Sequence, residues 1–165
     1  MNAIDLLKAD HARVWGLFRQ YEAANEPEQQ RVIAGHIFTE LEVHATLEEE
    51  LFYPALRGRL GLQFMEEDEE GDVEDEAEDG EEDLVSEAQE EHLEVKTLIA
   101  ELRTMDPADA QFQTKFNELR EGVEEHVGME EDELMPDALA ALGSEMERLG
   151  RQIEGRKEQL MAGKA

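Results

Sequence analysis

One short phrase occurs twice along the chain. His44-Ala-Thr-Leu-Glu48 leads to Pro54, and His126-Val-Gly-Met-Glu130 leads to Pro136. In both copies the glutamate stands four residues after the histidine and the proline ten after it. Each phrase has a further histidine upstream. Asp10-His11 aligns with Glu91-His92, and the gaps to the next histidine of the pattern are 33 and 34 residues. Residues four apart on a helix point the same way, one turn along. His-x3-Glu therefore offers one nitrogen and one oxygen to the same spot, and the pattern does this twice.

Apolar periodicity supplies the helices. Ile4, Leu7, Val14, Phe18 and Tyr21 recur at helical spacing with His11 on the same stripe, which predicts a first helix from Ala3 to Ala24. A second opens at Pro27, a residue suited to a first turn. It carries Ile33, Ile37, Leu41, His44, Glu48 and Leu51 on one side, and Pro54 is expected to kink or end it near Arg57. The third spans Glu82 to Met105 with Ala88, His92, Val95, Ile99 and Leu102 in register. Asp106-Pro107 reads as the cap and first turn of the fourth, which carries Phe112, Phe116, Leu119, Val123, His126, Glu130 and Leu134 and ends near Leu142. Ser144 and Glu147 have capping-box spacing at the start of a shorter fifth helix, weakened by Gly150 and Gly155.

Short links make two antiparallel hairpins. The expected fold is all-α: an antiparallel up-down-up-down four-helix bundle over residues 1–142, with a short fifth C-terminal helix and tail over 143–165. An acidic connection, 62–82, joins the hairpins. Residues 66–83 hold 14 acidic side chains and no basic one. That stretch reads as a solvated, self-repelling linker, with weak cation gathering as the alternative.

Composition narrows function. With 165 residues and a formal charge of -29, the chain is read as one domain that avoids nucleic acid and anionic membrane surfaces. Without cysteine, thiolate metal sites, iron–sulfur ligation and cysteine nucleophiles are excluded. No secretory signal and no membrane-length apolar run is seen, so a cytoplasmic monomer or homodimer is expected.

The bundle offers four imidazoles and two carboxylates at one level of its core. Core histidines that merely find hydrogen-bond partners are the plain alternative, but four in matching places argue for ligation. Buried carboxylates are costly unless cations lie between them. Imidazole with carboxylate suits iron, manganese or zinc, and one glutamate per repeat is what two bridges between paired metals need.

On His11, His44 with Glu48, His92, and His126 with Glu130, the chain resembles the hemerythrin family, specifically hemerythrin-like (HHE) domains. The resemblance covers roughly residues 3–142. It implies two non-haem iron ions with an oxo or hydroxo bridge, Glu48 and Glu130 bridging, and the four histidines as terminal ligands. Oxygen-carrying members have a fifth histidine where this chain has Lys96. Two octahedral irons would then keep two coordination places, where a carrier keeps one. This leans toward reaction with oxygen, peroxide or nitric oxide under oxidative or nitrosative stress. Reversible oxygen binding, storage or sensing is the alternative. Iron–sulfur repair, which in related proteins uses an added cysteine-bearing segment, and iron sensing stand third.

Other residues are read more plainly. His36 and Glu40 also have ligand spacing, but Gly122 stands opposite Glu40 in the second repeat. His36 is therefore taken as a surface or outer residue, and Glu40 as a possible orienting carboxylate. Glu49 and Glu131 are expected to rotate to a solvated face, with Glu131 a reserve ligand. Trp15, Phe18, Tyr53, Phe112 and Phe116 are expected to fill the core.

Overall fold

The computed structural model describes residues 1–59 and 79–164. The first hairpin pairs α1 (Ala3–Ala23) with α2 (Pro27–Leu47), and the second pairs α3 (Asp79–Arg103) with α4 (Ala110–Met129). Asn2 Oδ1 caps α1 by accepting the Asp5 N–H at 2.9 Å. Aromatic stacking closes the ring of helices: Tyr21 of α1 lies over Phe116 of α4, with ring centroids 4.0 Å apart. Among the described residues there is no strand, and no helix is long and apolar enough to cross a membrane. Most of the acidic run 66–83, and the connection it belongs to, lies outside the described residues.

Both prolines act before the helix ends. A single π turn, Glu48–Phe52, follows α2, and another, Glu130–Leu134, follows α4. In each the hydrogen bond spans five residues: Tyr53 N–H reaches Glu48 O, and Met135 N–H reaches Glu130 O. Pro54 and Pro136 have no N–H to give, and their rings crowd the carbonyl four residues back. Inserting one residue into the turn relieves that clash without breaking the rod. The helix then resumes, over 53–59 in the first case and as α5 (Met135–Leu142) in the second. Such widened turns are frequent at functional sites.

Two helix starts differ from the expected ones. Asp106 Oδ1 accepts the Ala108 N–H within a turn, and Asp109 is the residue that caps α4, accepting the Gln111 N–H at 2.9 Å. The Ser144 capping box does not form. Gly143 takes a positive φ of 46° and opens a 3₁₀ turn, Gly143–Glu145, that leads directly into α6 (Met146–Ala162).

The core falls into two apolar clusters. One gathers Leu7, Leu47, Phe52, Leu56, Leu134 and Met135. The other gathers Phe18, Tyr21, Ile37, Ile99, Phe112 and Phe116. A buried polar layer of His11, His44, Glu48, His92, His126 and Glu130 separates them.

Helix α6 packs along α1 and α2 through Met146, Leu149 and Ile153. Its glycines differ in role. A Cβ on Gly150 would run into the Met1 carbonyl oxygen and sit 3.0 Å from Asn2 C and 3.1 Å from Ala3 N. Gly155 has nothing within 4 Å. Gly150→Ala is expected to destabilise the chain by about 2 kcal/mol through overpacking. Gly155→Ala, at an exposed helix position, is expected to stabilise it by about 0.5–1 kcal/mol. Urea midpoints of the two variants check this, and equal shifts would show that α6 does not dock as described.

Candidate metal centre

The six residues picked out by the repeat meet at one level. His11 and His44 bring their Nε2 atoms to 3.1 Å from each other, and so do His92 and His126. Glu48 and Glu130 are fully buried between the two pairs. Glu48 Oε1 lies 3.1 Å from His44 Nε2, while Glu48 Oε2 lies 2.9 Å from His92 Nε2. Glu130 Oε1 contacts His126 Nε2. Two four-residue clusters result. One is His11, His44, Glu48 and Glu130; the other is Glu48, His92, His126 and Glu130. Both carboxylates belong to both clusters.

Carboxylates behind the rings decide which nitrogen faces inward. His11 Nδ1 meets Glu131 Oε1 at 2.8 Å, His92 Nδ1 meets Glu49 Oε1 at 3.2 Å, and His44 Nδ1 meets Asp10 Oδ2 at a long 3.5 Å. His126 Nδ1 approaches Glu91 Oε2 at 3.3 Å, but neither atom is aligned for a hydrogen bond. A carboxylate at Nδ1 places the ring proton there and leaves the Nε2 lone pair toward the centre. Two lone pairs at 3.1 Å repel unless a positive charge lies between them.

Charge at the centre follows the same logic. Burial works against a charge on His44, yet Glu48, Asp10 and Glu130 outweigh it and hold the imidazole protonated up to about 10. His11 is driven down to about 4 by burial and by the neighbouring His44. Burial, then Glu48, pushes the Glu130 carboxyl up to about 8. Burial also works against the charge on Glu48, but His44, His126 and His92 hold its carboxyl well below the usual range. Protons thus do the work of cations here.

Tyr53 fills the core as expected, and it also reaches the site, which was the lesser of the two readings its sequence position offered. It is fully buried, and its hydroxyl donates to Glu48 Oε2 at 3.0 Å, with His92 Nε2 at 3.3 Å and Glu130 Oε1 at 3.4 Å. In an α-helix a residue five positions after Glu48 would point about 140° away from it. The π turn removes most of that angle and aims the phenol inward. Burial and the two glutamates raise its pKa far above the ordinary value, so it stays a neutral donor. The second repeat has Met135 at this position.

Glu49 and Glu131 turn away from the two clusters and stay partly exposed, at 31% and 34%, but each also backs a histidine: Glu49 backs His92 and Glu131 backs His11. Their signal was present, since both repeats carry an acid immediately after the glutamate of the phrase and immediately before the upstream histidine. His36 is exposed, as expected. Glu40 pairs with Arg13 at 3.3 Å and orients no histidine directly. Lys96 Nζ grips Glu49 at 2.8 and 2.7 Å.

The Hemerythrin HHE cation binding domain family matches residues 2–138. The chain belongs to the hemerythrin family. An uncharacterized protein of Mycobacterium tuberculosis is 27% identical over 163 residues, covering 97% of this chain and 88% of that one. A DNA nickase of Nostoc sp. is 29% identical over 145 residues, 88% of this chain. This chain spans 36% of the nickase, roughly a third of its length. The crystal structure of a hemerythrin HHE cation binding domain-containing protein from Mycobacterium kansasii superposes with a TM-score of 0.77. It is 23% identical, over 99% of this chain and 89% of that chain, and it speaks to the shared fold.

The hemerythrin-like donor set fits cations on its own geometry. Two nitrogens about 3 Å apart can each lie about 2.1 Å from one ion at a right angle. Glu48 Oε1 and Glu130 Oε2 are buried without a hydrogen-bond partner. A cation that binds only the folded bundle stabilises it by mass action. Stripping metal with a chelator is therefore expected to lower Tm by about 5–10 °C. Calorimetry before and after chelation checks this, and an unchanged Tm would contradict the fit.

Proposed function

We propose that this hemerythrin-like chain holds two non-haem iron ions and reacts with dioxygen, peroxide or nitric oxide in the handling of oxidative or nitrosative stress. The observation that carries the reading is the pair of clusters sharing both buried carboxylates. His11 and His44 would hold one ion, His92 and His126 the other, and Glu48 and Glu130 would span the two. Nitrogen and carboxylate donors with no thiolate favour iron, with manganese as the competing metal. When bound, the ions supply electrons to the small oxidant.

The chain's own residues shape what reaches the centre. A cavity of about 30 Å³ lies against the histidine rings, walled by Val14, Leu41, Ala45, Val95, Val123 and Val127. That is room for one small molecule and little more. Its walls present hydrocarbon, which admits a neutral diatomic molecule or peroxide and excludes bulky or charged ones.

The phenol supports reaction over carriage. Reduction of oxygen or peroxide consumes protons, and Tyr53 holds one 3.0 Å from Glu48 and 3.3 Å from His92. Lys96, standing where carriers have a histidine, supports the same side. Action on DNA is not proposed. The nickase is a much longer protein, and a charge of -29 opposes approach to a polyanion.

His44→Ala and Glu130→Ala are each expected to lower bound iron from about two per chain. Elemental analysis of protein purified without added metal checks both, and unchanged iron would contradict the ligand assignment. Tyr53→Phe is expected to keep its iron and to slow peroxide consumption about a hundredfold, the usual scale for a positioned proton donor. A rate equal to the parent's would return Tyr53 to packing. A coloured oxygen adduct that disappears under vacuum would favour the carrier reading instead.

A further inference from the structure

Helix α6 stands outside the duplicated repeat, yet it reaches the centre. Its buried stripe runs Met146, Leu149, Gly150 and Ile153. Four residues on, the same stripe carries a lysine. Lys157 Nζ pairs with Asp10 Oδ1, and the Asp10 side chain is only 5% exposed. The other Asp10 oxygen faces His44 Nδ1. The chain of contact is therefore Lys157, Asp10, His44. One residue earlier, Arg156 pairs with Glu50 of the first π turn, at 2.7 and 3.1 Å.

The second half of the site has the same construction from a different source. Lys96 grips Glu49, and Glu49 backs His92. Lys96 stands four residues after the histidine of its own repeat. The matching place in the first repeat is Trp15, which carries no charge. A basic residue stands behind one histidine in each half; in the first half Asp10 also takes Arg13 of its own repeat at 3.3 Å, on an arm 48% exposed, and α6 adds the closer, more buried cation, Lys157.

We propose that Lys157 is a positioning residue for the metal centre, pairing Asp10 so that the imidazole of His44 is held in place and its donor strength is limited. The proposal rests on the two-iron reading. A carboxylate that accepts Nδ1–H makes the imidazole a stronger donor and favours the more highly charged, oxidised metal. Pairing the carboxylate with an ammonium group weakens that effect. The lysine's own charge also disfavours further positive charge nearby. Both effects act in one direction: Lys157 favours the reduced centre.

The test uses the full chain loaded with ferrous iron, with metal content measured first. Parent, Lys157→Gln, Lys157→Arg, Arg156→Gln and Asp10→Asn are each equilibrated with a redox dye at fixed potential. The reduced-to-oxidised ratio of the centre is then read from its visible spectrum. With iron content unchanged, Lys157→Gln is expected to move the ratio toward oxidised on the order of tenfold, from one charge removed about 10 Å away. Lys157→Arg should restore most of the parent ratio, and Arg156→Gln should leave it near the parent's. Asp10→Asn, which removes the carboxylate instead, should move the ratio toward reduced, and it decides the matter if Lys157→Gln fails to fold. A parent-like ratio in Lys157→Gln would overturn the proposal. So would an equal shift in Arg156→Gln, because the effect would then belong to helix docking, or an unmoved ratio in Asp10→Asn. A parent chain that holds no iron would instead overturn the two-iron reading itself.

Discussion

Two carboxylates removed from water, set between two pairs of imidazoles, govern the rest of this molecule. An ionised carboxylate in an apolar core is tolerated only when paired. Glu48 and Glu130 are both fully buried, and one oxygen of each makes no hydrogen bond. The four Nε2 atoms converge on them as two close pairs. Protons shared with His44 and His126 satisfy this arrangement in part, at the expense of keeping Glu130 near neutral. Positive ions would satisfy it fully. The polar layer then needs a rigid frame, and the apolar clusters on either side of it supply one.

The π turns are where frame and chemistry meet. A proline ten residues after each histidine forces a widened turn just past the carboxylate. That turn re-aims everything after it. Glu49 and Glu131 swing behind the histidines of the opposite hairpin, so each hairpin orients ligands borne by the other. Tyr53 swings inward and breaks the twofold likeness of the halves, since Met135 occupies its place in the second repeat. The duplication thus builds a symmetric cage, and single departures from it, at Tyr53 and Lys96, supply the features that point to reactivity.

Much of this was legible in the residues. A period of 3.6 located the helices of the described residues, and the duplicated phrase selected the six residues that the bundle brings together. What escaped has physical causes. A helical wheel assumes a constant 100° per residue, so it could not place Tyr53 beyond a π turn, or show that Glu49 and Glu131 within the two turns back histidines of the opposite hairpin, although Pro54 and Pro136 marked where the wheel fails. Asp10 and Glu91 act across helices within their own hairpins, toward His44 and His126, and contact between helices is not written in the period of either one. The start of α4 was misplaced because Asp106 with Pro107 reads as a cap and first turn, while Asp109, three residues on, is the residue that caps the helix. At Gly143 a 3₁₀ turn took over the role expected of Ser144. The reach of α6 to the centre depended on the close approach at Gly150, which local sequence had marked only as a weakness.

Anomalous diffraction at the iron edge, from crystals of the chain loaded anaerobically with ferrous iron, tests the central claim most directly. The account predicts two peaks about 3.5–4 Å apart, lying between Glu48 and Glu130. One should adjoin the His11 and His44 rings and the other the His92 and His126 rings. A single peak, or iron held elsewhere while these six side chains stay as described, would contradict it.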